Sequence, residues 1–240
     1  MYPAILALDE MQMFTQSPSE DEIKIIAFML QEARTLYEKL DTHERHVYNF
    51  LRRANICQFL DDFQDIKEIW QVNENEIAQI QDESLFNLHD LILSFPENKV
   101  IKNLLLTTKK LFEKYTLPLA LTIYRADHLK KLEGRINDNQ IVFPLPVAFS
   151  YNKWSLKQYW ENLDNPLMLA CEVPAGTPLI PMEGNPASGD GEYEVLLCEG
   201  TVFEIVNIEA LSKNVTSVLI NNTVLNSETI ALYSLDLKSK

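Results

Sequence analysis

Residues 189–209 read GDGEYEVLLCEGTVFEIVNIE. Two apolar, β-prone runs, 192–197 and 201–209, stand either side of a short break at Cys198-Glu-Gly200. The reading is strand, tight connection, strand, with the second run as partner strand of the first. Side chains two apart on a strand point to one face. Glu192 and Glu194 therefore share a face, and Tyr193 points away. A bare Glu-x-Glu is the usual wet side of a surface strand, so its meaning depends on what accompanies it.

Glycine and proline divide the rest of the chain. None of the six glycines precedes Gly134, and eight of the eleven prolines lie at Pro118 or beyond. Both residues punctuate turns, which predicts long helices first and short strands after, with the boundary near Tyr115–Pro118. Ser19 and Glu22 make a Ser-x-x-Glu capping box. Behind it Ile23, Ile26, Ala27, Leu30, Ala33, Tyr37 and Leu40 recur at helical spacing. A second helix carries Val47, Phe50, Leu51, Ala54 and Cys57, and further helical segments run around 66–70, 85–95 and 100–115. Strands are predicted over 119–125, 140–150 (with a Pro-x-Pro kink), 167–173, 177–180, 192–197, 201–209, 215–220 and 229–235. A short helix is predicted over 151–163. This is an α+β fold, a helical N-terminal lobe over residues 1–118 packed on a mixed β core over 119–240, as one compact unit.

The chain has 240 residues, 46% hydrophobic and 23% charged, enough for a sizeable core. A formal net charge of -14 leaves no basic excess for phosphates, which excludes a nucleic-acid binder as the expected class. No run approaches the roughly 20 apolar residues of a membrane span. The beginning, MYPAILALDEMQMF, lacks a basic segment and reaches Asp9 early, so the expectation is a cytosolic protein with no cleavable leader. Cys57, Cys171 and Cys198 are odd in number and widely spaced, which fits reduced thiols. His43-Glu-Arg-His46 has an i, i+3 histidine step where a helical zinc pair needs i, i+4, and no metal is expected. Neither a Gly-x-Gly-x-x-Gly nor a Walker loop is present, and there is no Gly-x-Ser-x-Gly elbow.

The company that Glu192 and Glu194 keep is more specific. Leu121-Thr-Ile-Tyr-Arg125-Ala126 is an apolar strand ending in an arginine. Pro146-Val-Ala-Phe-Ser150-Tyr-Asn152 is a strand ending in an aromatic and a serine. Leu169-Ala-Cys-Glu-Val-Pro-Ala-Gly-Thr177 is a strand with a turn. In this order the segments resemble the mono-ADP-ribosyltransferases of the Arg-Ser-Glu, cholera-toxin-like type, and within them the single-chain bacterial exoenzymes and effectors. Those proteins carry Tyr-Arg-Gly, Phe-x-Ser-Thr-Ser, Pro-x-Gly-Thr and Glu-x-Glu-Val-Leu-Leu. The resemblance covers about residues 119–208. Ala126 stands where the family has glycine, and Ser150-Tyr151-Asn152 stands for Ser-Thr-Ser.

The resemblance implies two packed sheets, NAD+ as co-substrate and a protein acceptor. It implies that Arg125 clamps the pyrophosphate with its fork of donors. Glu194 would hold a ribose hydroxyl and stabilise the cation that develops when the nicotinamide–ribose bond breaks. Ser150 would orient Glu194, and Glu192 would position the acceptor and take up its proton. Main chain at Ala126 would hold the nicotinamide amide, and Asn152 would contact NAD+. Glutamate in the first position goes with arginine acceptors. The loop 181–191 would meet the protein substrate. A bacterial toxin or effector, secreted or injected by a leaderless route in virulence, or a phage enzyme made inside its host, would suit such a chain. An NAD+ glycohydrolase using the same residues, and an inactive interaction module of the same fold, stay open.

Overall fold

The computed structural model describes residues 19–53, 59–60, 64–81, 88–128, 135–137, 140–152, 166–183, 193–212 and 229–237. The expected strand at 215–220 and most of the expected helix at 151–163 lie outside them.

Among the described residues six helices precede the strands: α1 (Glu20–Lys39), α2 (Thr42–Arg53), α3 (Gln64–Trp70), α4 (Glu74–Gln81), α5 (Leu88–Ser94) and α6 (Lys99–Phe112). Their starts follow local chemistry. Ser19 and Glu22 exchange both capping-box bonds, Glu22 N to Ser19 Oγ at 3.3 Å and Ser19 N to Glu22 Oε2 at 2.7 Å. Asp41 with Glu44 repeats the device at α2, and Asn73 with Glu76 repeats it at α4. Each pair satisfies two main-chain N–H groups that the first helical turn leaves without partners. Asn98 caps α6 through Val100 N, and its amide also donates to Glu76 O and Gln79 Oε1, joining α6 to α4.

Nine strands follow among the described residues: β1 (Leu121–His128), β2 (Ile136–Asn137), β3 (Gln140–Phe143), β4 (Val147–Ser150), β5 (Pro166–Val173), β6 (Leu179–Pro181), β7 (Glu194–Leu197), β8 (Thr201–Ser212) and β9 (Thr229–Leu237). They form one ladder in the order β2-β3-β8-β9-β5-β1-β4-β7-β6. All neighbours are antiparallel except β5 and β9. Phe149 of β4 and Phe203 of β8 have three strands between them in that order, yet their rings are 5.5 Å apart. The ladder therefore folds over so that its two ends pack face to face, with Phe143 edge-on to both rings. These are the two packed sheets of the expected α+β fold, joined by continuous pairing.

Two expectations about strand pairing are corrected. The run 201–209 is not the partner of the run before it: β7 pairs with β4 and β6, while β8 pairs with β3 and β9. The turn at Glu199–Gly200, where Gly200 has φ 70° and donates to Phe143 O at 2.8 Å, carries the chain from one packed half to the other. The kinked run 140–150 is likewise two strands. Pro144 and Pro146, which cannot donate to a ladder, break it at the corner between β3 and β4.

Two apolar clusters flank the β4-β7-β6 end of the sheet. Val147, Phe149, Val195, Leu197 and Leu179 meet Phe143, Ile141 and Phe203 between the packed halves. Ile180, Met182 and Leu196 face the other way and join Tyr48, Leu104, Leu111 and Phe112 of the helices. The helical residues thus share a core with the edge of the sheet that carries the Glu-x-Glu motif.

Candidate active site

Strand register assembles the centre. Tyr124 of β1 lies directly opposite Ser150 of β4, and Ser150 directly opposite Glu194 of β7. Facing residues of antiparallel strands share a face, so these three side chains form a row across three strands. Tyr193, Val195 and Leu197 alternate to the other face, where the Tyr193 ring packs at a tilt on Tyr151, with centroids 5.8 Å apart. Tyr193 thus faces away from Glu194, as strand alternation predicts. Glu192 lies outside the described residues, as do most positions of the 181–191 loop.

Ser150 is buried and works on main chain. Its Oγ lies 2.7 Å from Asn152 O and 3.0 Å from Tyr193 O, and it accepts the Asn152 N–H at 3.0 Å. A hydroxyl has one proton and two lone pairs, so it donates to one carbonyl at a time while accepting that N–H. Tyr151 N also donates to Tyr193 O, at 2.9 Å. The end of β4 is therefore tied to the residue just before Glu194. Asn152 is buried beside Ser150. Ala126, two residues beyond Tyr124, shares the row's face by alternation and pairs with Met168 of β5.

Arg125 is not at a strand end. β1 continues through His128 in register with β5, and Arg125 stands mid-strand opposite Leu169. Strand alternation sends its Cβ to the face opposite Ser150 and Glu194. Its Nε donates to Asp127 Oδ2 at 3.0 Å and its Nη1 to Ala148 O at 2.8 Å. The structure thus brings Ser150 and Glu194 together directly, and joins Arg125 to them through the main chain of β4. Its other N–H donors meet no acceptor among the described residues, and its side chain is 30% exposed while Asp127 is 5% exposed.

The sequence reading missed the residues that support Glu194. Met182 N donates to Glu194 O at 2.8 Å, and Tyr151 Oη donates to Met182 O at 3.3 Å. Tyr48 of α2 donates to Pro181 O at 2.9 Å and accepts from Glu183 N at 3.2 Å. The Glu183 carboxylate meets Arg34 of α1 at 2.9 Å and Arg52 of α2 at 3.4 Å. Burial pushes the Tyr48 phenol well above its ordinary range, although the Glu183 N–H opposes the shift. Burial raises Tyr151 too, helped by Tyr48, Tyr193, Glu183 and Glu194 around it. Both therefore stay protonated donors at neutral pH. Asp127 had a sequence signal, its two-residue step from Arg125. Tyr48 had none, because the contact spans more than 130 residues.

Among the described residues no group of three histidine, cysteine or acidic side chains is placed to hold a metal, and no helix is long and apolar enough to cross a membrane. No protein-family model matches the chain, and no curated protein matches it by sequence. Solved structures do match. The Clostridium limosum C3 exoenzyme superposes with a TM-score of 0.53 at 15% identity, over 94% of this chain and 100% of its own. C3stau2 from S. aureus, solved with NAD, gives 0.53 at 12% identity over 91% and 96%. Plx2a, an ADP-ribosyltransferase toxin from Paenibacillus larvae, gives 0.52 at 13% over 91% and 97%. The fold is that of ADP-ribosyltransferase toxins. The match takes in most of the chain, including much of the part that holds the helices.

Proposed function

We propose that this protein is an NAD+-dependent mono-ADP-ribosyltransferase of the Arg-Ser-Glu type that modifies a protein side chain, with arginine as the acceptor. The observation that carries the reading is the register of Ser150 opposite Glu194 within an ADP-ribosyltransferase-toxin fold. The donor set suits the co-substrate. Arg125, its side chain partly exposed and its guanidinium oriented by Asp127 and Ala148 O, suits the pyrophosphate. A half-buried carboxylate at Glu194 suits a developing ribosyl cation. That one of the similar structures holds NAD adds to the case.

In the proposed reaction the C–N bond between ribose and nicotinamide breaks, and its electron pair leaves with nicotinamide. Glu194 stabilises the charge on the ribosyl carbon. The acceptor nitrogen forms the new bond to that carbon, and Glu192 takes the proton it sheds. Ser150 acts through main chain, holding Tyr193 and hence the direction of Glu194. The proposed division of the chain is a helical lobe through residue 118 and a catalytic β core from 119. The proposed setting is a target cell that a toxin or effector enters, with a host protein as acceptor.

The test incubates the protein with biotinylated NAD+ in a cell lysate while nicotinamide release is measured. Labelled protein bands together with nicotinamide are expected. Nicotinamide release without labelling would replace the transferase with an NAD+ glycohydrolase. Neither release nor an NAD+-induced thermal shift would leave an interaction module.

A further inference from the structure

The segment Pro181–Glu183, which ends β6 beside Glu194, is held from both sides by polar contacts that the proposed chemistry does not use. Pro181 O accepts from Tyr48, Met182 N donates to Glu194 O, Met182 O accepts from Tyr151, and Glu183 N donates to Tyr48. The Glu183 carboxylate is then gripped by Arg34 and Arg52. Every hydrogen-bonding main-chain group from Pro181 O to Glu183 N thus has a partner, and one of those partners is Glu194 itself. Tyr48 is fully buried and Tyr151 nearly so, so water cannot take over from either hydroxyl without repacking. Their rings fill the core, Tyr48 with the helices and Tyr151 with the sheet. Their hydroxyls supply the side-chain hydrogen bonds to the main chain at the end of β6.

We infer that Tyr48 and Tyr151 are positioning residues for Glu194, and that α1 and α2 take part in catalysis by fixing, through Tyr48, Arg34 and Arg52, the short strand on which Glu194 rests. The inference rests on the reading of Glu194 as the catalytic carboxylate. It assigns the helical residues a task in the chemistry besides completing the core. A carboxylate must be aligned on the ribosyl carbon within a fraction of an ångström. A displacement near 1 Å costs on the order of a hundredfold in rate. Losing one of the two hydroxyls, with its ring kept in place, loosens the support without removing it.

The experiment compares wild type with Tyr48→Phe and Tyr151→Phe, and with Phe59→Leu as a control. Phe59 packs on Phe50 and Trp70 in the helical core, and its side chain carries no hydroxyl to hydrogen-bond main chain. Nicotinamide release, thermal unfolding and amide exchange at Met182 and Glu183 are measured on each. Each tyrosine variant is expected to lose about tenfold in kcat with KM for NAD+ unchanged. Its Met182 amide should exchange about tenfold faster. Phe59→Leu should unfold at lower temperature and keep both its kcat and its Met182 protection. An unchanged kcat in the tyrosine variants, or an equal fall in the control, overturns the inference. If wild type itself releases no nicotinamide, the proposed function fails instead. Exchange then decides the support on its own: unaltered Met182 protection in Tyr48→Phe overturns it.

Discussion

Arg125 and Asp127 face one another along β1, with Nε to Oδ2 at 3.0 Å and the aspartate almost wholly buried. The arginine is thus aimed by a residue two positions on, and its second anchor is the Ala148 carbonyl of β4. Asp127→Asn removes the charge that holds the guanidinium while keeping the side chain's shape. A hydrogen bond to a charged group contributes about 1.5–3 kcal/mol, and the Asn amide retains part of this. The expected outcome is a KM for NAD+ raised about tenfold with a smaller change in kcat, since the role proposed for Arg125 is to bind pyrophosphate and not to cleave the bond. Steady-state nicotinamide release against NAD+ concentration checks it.

Glu194→Ala is expected to remove both transfer and hydrolysis, lowering kcat by roughly a hundred- to a thousandfold. Glu192→Ala should suppress transfer while part of the hydrolysis persists, because the proposed mechanism gives acceptor activation and cation stabilisation to separate carboxylates. Equal loss of both activities in the Glu192 variant would reject that division. Parallel assays of nicotinamide release and protein labelling make the comparison.

Ser150→Ala leaves the buried Asn152 N–H without its hydroxyl partner and withdraws a donor from Tyr193 O. An unsatisfied buried group costs about 1–3 kcal/mol. Urea unfolding should show that loss, and kcat should fall about tenfold as the approach to Glu194 loosens.

Glu44 caps α2 through Asp41 N and meets Lys114 at 2.7 Å, with its side chain only 7% exposed. Breaking a buried ion pair by removing one partner costs about 3–5 kcal/mol. Lys114 is about one-third exposed, so the expectation for Glu44→Ala is nearer 2 kcal/mol, the upper range for loss of a cap. Unfolding by urea measures it, and kcat per folded molecule should not change.

Alkaline pH tests the buried tyrosines. Tyr48 and Tyr151 hold their protons to higher pH when folded than the value of about 10 they have when unfolded. Above pH 10 the unfolded chain therefore binds fewer protons than the folded one. The stabilisation is complete below that pH and is lost as pH rises toward the folded-state values. The slope is up to about 1.4 kcal/mol per pH unit for each tyrosine. Unfolding measured from pH 9 to 11 should show the decline, and a Tyr48→Phe, Tyr151→Phe double variant should show less of it.

What could be read from the chain was local. The Ser19–Glu22 box needed only a three-residue step, and Asn73–Glu76, with the same step, would have revealed α4 as a helix of its own. Alternation along 192–197 gave the facing of Tyr193 against Glu194. Strand pairing was not local: nothing in TVFEIVNIE says that it runs beside β3 and β9 instead of β7. Two apolar strands joined by a short turn suit a hairpin and a sheet corner equally well. The Arg125–Asp127 step was legible and passed over. The reach of Tyr48 to Pro181 depends on how the helices dock, which no short window encodes.

The pairing of Ser150 with Glu194 also makes the site intolerant of changes in length. Antiparallel strands repeat every two residues, so the alignment of β7 on β4 carries a parity. Slipping β7 by one position would turn Glu194 into the apolar space between the packed halves and bring Val195 out in its stead. No graded intermediate exists between those arrangements. Substitutions along β7 can tune the site, but a single-residue insertion or deletion within it acts as an off switch, and the strand drifts more safely in composition than in length.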